Sequence, residues 1–154
     1  MEHNQRKPAG IDIPVILRFI VTGFVYLLAG LIIFMLNLTG IISIRADAIF
    51  ILWLFGFVAM MIFGLSYMFS SGLARNSATI NSTIRKEYIL LNAGVIIFFS
   101  GFSSLVPMPE GKYLAIAGLL LLMVSVLIHL VNSAMIAKGR KNDQGGKKSY
   151  KDDY

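Results

Sequence analysis

The stretch AIFILWLFGFVAMMIFGLSYMF, residues 48–69, holds no charged side chain. As a helix rising 1.5 Å per residue it is long enough to cross a hydrocarbon core about 30 Å thick. In lipid a lone strand would leave its backbone groups unpaired, so a helix is the form this segment must take. Working outward, three more apolar runs have the same character, at 15–36, 88–106 and 113–137. Pro14 suits the first turn of a helix, where its missing N–H would be unpaired anyway. Pro107 and Pro109 cannot continue the third run, and Gly139 predicts a stop after the fourth. The expected fold class is therefore all-α. It is a polytopic membrane protein with a four-transmembrane-helix bundle over 15–137, a short segment 1–14 before it and a basic tail 138–154 after it.

Only 14% of the 154 residues are charged, against about 25% in ordinary soluble domains, and these charges crowd into short stretches. Arg6, Lys7 and Arg18 precede or open the first run, and Arg75, Arg85 and Lys86 lie between the second and third. Lys138, Arg140, Lys141, Lys147, Lys148 and Lys151 follow the fourth. The opposite side has only Arg45 and Lys112. Lys and Arg accumulate on the cytosolic side of short loops, so both termini are expected in the cytosol and the protein in the plasma membrane. The polar start with Arg6 and Lys7 has the look of a signal-peptide n-region. The apolar run behind it exceeds the usual 7–15 residues or so and no A-x-A site follows, so a permanent first span is expected. The tail GRKNDQGGKKSYKDDY has almost no apolar content and is expected to lack order by itself.

The chain has no cysteine, which excludes disulfides, thiolate metal sites and Cys nucleophiles. Its net charge of +6 reads as a cytosolic surface meeting anionic lipid, with Lys138, Arg140, Lys141, Lys147 and Lys148 as docking residues for lipid or a partner. No nucleic-acid motif accompanies it, so no nucleic-acid partner is expected. No Ser/His/Asp set, phosphate loop or HExxH occurs, so the chain is not expected to be an enzyme by itself.

Polar groups inside apolar runs must be paired or hydrated, which makes them the first candidates for function. Ser125, His129 and Asn132 stand at i, i+4 and i+7 and share one helix face. With Asn92 on the third run and Arg18 on the first, they form a candidate polar cluster in the inner half of the bundle. His129 could serve as an axial haem ligand, a metal ligand or a proton-relay group. The favoured reading is plainer: these side chains hydrogen-bond between helices, and Arg18 reaches the interface by snorkelling. The outer side offers Arg45, Asp47, Glu110 and Lys112, read as solvated charges, and His3 looks incidental. Gly23 and Gly30, Gly56 and Gly64, Gly94 and Gly101, and Ala115 and Gly118 form small-residue stripes that let helices approach closely. Such faces are the expected docking sites for other membrane subunits. Asn37-Leu38-Thr39 and Asn81-Ser82-Thr83 match the glycosylation sequon, the first close to the membrane and the second on the cytosolic side.

The segments Leu54-Phe55-Gly56-Phe57-Val58-Ala59-Met60-Met61-Ile62-Phe63-Gly64-Leu65-Ser66-Tyr67 and Leu90-Leu91-Asn92-Ala93-Gly94 resemble the small four-helix membrane proteins related to haem–copper oxidase subunit I. In that group an H-x-H-type element precedes the pattern G-F/W-V-x-x-x-I-F-G-x-x-Y, and L-L-N-x-G follows on the third span. Here the places of the histidines hold Ile49, Ile51 and Met68. The resemblance implies a scaffold that has lost the ligands of its redox centre. From it follows the main expectation, a non-catalytic accessory subunit of an oxidase, monooxygenase or other respiratory assembly, an archaeal-type copper monooxygenase among them. No cofactor is expected on that reading. The alternatives are a haem-binding electron carrier using His129 and a small oligomeric transporter or channel.

Overall fold

A computed structural model of the chain describes residues 11–70, 77–103, 106–107 and 109–148, with backbone alone at 77–79 and 139–148. Four helices occupy these residues: α1 (Ile13–Leu38), α2 (Ala46–Ser70), α3 (Ser77–Phe102) and α4 (Glu110–Lys148). Among the described residues there is no strand. Three stretches, α1, α2 and Glu110–Lys138 of α4, are long and apolar enough to cross a membrane. The 26-residue α3 matches α1 in length, but every 18-residue stretch of it includes Arg85, Lys86 and Glu87.

α1 packs on α2 and α3 on α4, giving two helical hairpins. The turn out of α1 is a Schellman closure. The N–H of Ile41 bonds the Leu36 carbonyl at 3.1 Å and that of Gly40 bonds Asn37 at 3.2 Å. The closure needs a left-handed residue, and Gly40 has φ 73°. Asn37 then clamps the far side, donating from Nδ2 to the Ile44 carbonyl and accepting from the Ile44 N–H, both at 3.0 Å. Gly40→Ala is expected to cost about 1 kcal/mol, although no atom lies within 4 Å of the added Cβ. A chemical unfolding curve checks this, and an unmoved midpoint would mean that the turn relaxes at no cost.

The glycine stripes are used within the chain. Tyr26 of α1 lies on Gly56, where a Cβ would come 2.6 Å from its Cγ, and Trp53 of α2 lies in the same way on Gly30. Each helix thus receives one ring from the other. On the second hairpin, Gly101 meets the backbone of Gly111 and Ala115, and Gly118 meets that of Phe98. The faces expected to receive other subunits are therefore filled by helices of the same chain.

Three features differ from the sequence reading. α2 is not uniformly α-helical: Leu52–Val58 forms a π-helical segment, wider than an α turn, at the level of the Trp53 and Gly56 contacts. α3 begins at Ser77 instead of residue 88, because Ile80 and Ile84 extend the buried stripe of Leu91 and Val95 backwards. It ends at Phe102, where the Ser103 N–H bonds the Phe99 carbonyl at 2.8 Å. α4 runs through Gly139 to Lys148. Extending an existing helix fixes one residue per hydrogen bond, whereas starting one fixes several, so part of the tail expected to lack order is helical.

Candidate functional site

Where the two hairpins meet, α2, α3 and α4 each bring polar side chains into an apolar surround. α3 supplies Glu87, which is 0% exposed. A carboxylate removed from water is costly unless paired and hydrogen-bonded, and Glu87 is both. The Tyr67 hydroxyl of α2 donates to its Oε2. Asn132 of α4 donates from Nδ2 to the same Oε2 at 3.0 Å and to the Tyr67 oxygen at 3.0 Å. His129 lies with Nδ1 3.0 Å from Oε1. One turn earlier on α4, the Ser125 hydroxyl donates to the Glu87 main-chain carbonyl at 3.3 Å.

Tyr67 and Asn132 both donate to one oxygen of Glu87, and the His129 imidazole meets the other. The ring cannot turn freely. Phe63 stacks on its face with centroids 4.0 Å apart and 4° between planes, while Tyr67 meets it edge-on at 5.0 Å. The Asn132 Oδ1 is buried and has no hydrogen-bond partner among the described residues.

Of the candidates named from sequence, Ser125, His129 and Asn132 are joined as the shared face implied. Asn92 is not with them. It accepts a bond from Tyr26 at 2.9 Å and donates to the Tyr88 carbonyl at 2.8 Å, while Thr22 and Tyr88 share a bond of 2.7 Å. These contacts tie α1 to α3. Arg18 is exposed and separate from the cluster, in keeping with a side chain that reaches the interface. Lys138 is exposed, and the side chains of Arg140, Lys141, Lys147 and Lys148 lie outside the described set, as do His3 and Lys151.

Glu87 and Tyr67 were missed. Glu87 follows Arg85 and Lys86, so its run reads as a charged loop, yet it lies on the stripe Ile80, Ile84, Leu91, Val95 at helical spacing. Tyr67 continues the buried stripe Met60, Phe63, Gly64. Following either stripe one further turn would have found them.

On the opposite end, Arg45 and Asp47 form an exposed ion pair at 2.6 Å. The hydrogen bond and charge of Asp47 hold the Arg45 guanidinium above its ordinary value. Its guanidinium carbon stands 4.9 Å from the centre of the Phe102 ring, joining the two hairpins there. Glu110 and Lys112 are exposed. Among the described residues no three His, Asp or Glu side chains gather as a metal-ligand set.

Comparison with protein-family models, with curated proteins and with solved structures finds no match to this chain.

Proposed function

We propose that the chain is a four-span integral protein of the plasma membrane, with both termini cytosolic, acting as a non-catalytic accessory subunit of a larger membrane assembly. The observation that carries this reading is how little of the apolar helices the chain itself covers. In the most apolar stretches of α1, α2 and α4, 17%, 39% and 22% of the residues are buried. Phe24, Val25, Leu28, Ile32 and Met35 on α1 and Leu120, Leu127 and Leu130 on α4 face outward. A surface of that kind requires lipid or other apolar helices against it. The polar side chains between the hairpins brace the helices, which suits a scaffold.

α3 is the fourth span on this reading. Glu87 is hydrogen-bonded inside the bundle, so only Arg85 and Lys86 must reach the interface, at the cytosolic end where the other cations collect. The likeness to the oxidase-related group would make the host assembly an oxidase or monooxygenase.

Two measurements test the proposal. Because the chain has no cysteine, single cysteines report topology without background. A membrane-impermeant maleimide should label Ile41→Cys in intact cells and Lys138→Cys only after lysis; the reverse pattern would overturn the orientation. Purification in mild detergent should recover stoichiometric larger membrane partners, and recovery as a free monomer alone would overturn the accessory role.

A second reading is favoured by one observation. A histidine that ligates a metal commonly has its other ring nitrogen on a carboxylate, and His129 Nδ1 stands 3.0 Å from Glu87 Oε1. As a haem electron carrier the same preparation would show a Soret band that His129→Ala removes.

A further inference from the structure

The outward end of the molecule holds a groove of about 200 Å³, lined almost wholly by apolar atoms. It exists because α3 and α4 approach at Gly101 and Ala115, where among the described residues no large side chain fills the space beside Phe102 and Ile116. Two cations are part of its lining: Arg45, just before α2, and Lys112, in the first turn of α4. Ile116 is 48% exposed, so the groove opens sideways, onto the face that meets lipid if the chain spans the membrane as proposed.

We infer that this groove binds one phospholipid of the outer leaflet, with an acyl chain along Phe102 and Ile116 and the phosphate between Arg45 and Lys112. The inference rests on the four-span reading. Three facts fit this occupant. The apolar lining matches a hydrocarbon chain and nothing polar. Arg45 is held in place, its Nε and Nη2 on Asp47 and its plane over Phe102, while Nη1 is left for an anion. Lys112 has no carboxylate partner among the described residues and supplies the second charge. Asp47 and Glu110 leave this end without net charge, so the phosphate is recognised locally by the two cations, and the rest of the headgroup matters little.

The distance along α4 from Lys112 to Leu119, the last groove residue on that helix, is about 10 Å. That is enough for the upper part of an acyl chain, whose remainder continues into the bilayer. A soluble anion would gain the charges and forgo the groove.

The test is phospholipid retention by the full chain purified in dodecyl maltoside, read as phosphorus per chain after detergent exchange. Dioleoylphosphatidylglycerol or dioleoylphosphatidylcholine is then added back in mixed micelles. One tightly held lipid per chain is expected, with both lipids rebinding to a similar degree. Arg45→Gln with Lys112→Gln should weaken rebinding at least tenfold, and Ile116→Trp, which fills the groove from its open side, should abolish it. Unchanged helical circular dichroism in these variants separates lost binding from lost folding. Equal retention by Ile116→Trp, displacement by inorganic phosphate alone, or recovery of fatty acid without phosphorus would each overturn the inference. Maleimide labelling that puts the Arg45 and Lys112 ends on opposite sides of the membrane would instead overturn the four-span reading. Labelling on one side with no retained lipid would leave that reading standing and remove only the groove assignment.

Discussion

His129→Ala should destabilise the full chain by about 1–3 kcal/mol, the range for leaving a buried hydrogen-bonding group without its partner. The competing figure is much smaller: polar contacts between membrane helices average about 0.6 kcal/mol, because chains unfolded in the membrane also find partners. The larger figure should win here because of what is left behind. Glu87 is 0% exposed, and without the imidazole its Oε1 keeps no described hydrogen-bond partner. Tyr67 and Asn132 both serve Oε2. Replacing both ends of the pair, Glu87→Leu with His129→Leu, removes the stranded acceptor as well, so the double variant should recover at least half of the loss. Unfolding in mixed micelles with dodecyl sulfate, followed by circular dichroism, measures both. A loss near 0.6 kcal/mol for His129→Ala would show that water or a neighbouring side chain takes over its place.

The second large effect is expected at Gly118. A Cβ there would stand 2.6 Å from Phe98 Cα and 2.7 Å from Phe98 Cβ, with the Phe98 nitrogen closer still. Two of these three atoms belong to the α3 main chain and cannot rotate away. Ordinary overpacking costs about 1–3 kcal/mol because side chains shift; here the helices must separate, and Gly118→Leu should cost at least the upper end of that range. Ala117→Leu, one residue earlier on the exposed side, adds the same apolar bulk and should leave the unfolding midpoint unchanged. If the two variants unfold alike, α3 and α4 do not touch at this point.

Much of this organisation can be read from periodicity. The face Ser125, His129, Asn132 follows from spacing alone, and the glycine stripes do mark the close approaches. What spacing could not supply was the partner of each stripe. Gly30 and Gly56 look alike in sequence, but one receives an indole and the other a phenol ring from the opposite helix. Glu87 was hidden for another physical reason. A charge beside two other charges reads as solvated surface; its place on the Ile80, Ile84, Leu91, Val95 stripe marks it as buried, and the tertiary neighbours Tyr67, His129 and Asn132 show what satisfies it. Asn92 misled in the opposite sense: its depth is right for the cluster, but its helix turns it toward α1. The Leu52–Val58 π segment has no proline to announce it.

The ring exchange between α1 and α2 has a practical consequence. Trp53 is the single tryptophan of the chain, and its indole N–H, buried against Gly30, has no hydrogen-bond acceptor among the described residues. An indole in that situation emits at shorter wavelength than one whose N–H is solvated. The first hairpin therefore carries its own indole fluorophore, and the Glu87 cluster between the hairpins holds no tryptophan. Emission from the native protein follows the separation of α1 from α2, while circular dichroism follows the whole bundle. Comparing the two during unfolding distinguishes a molecule that comes apart hairpin by hairpin from one that opens all at once.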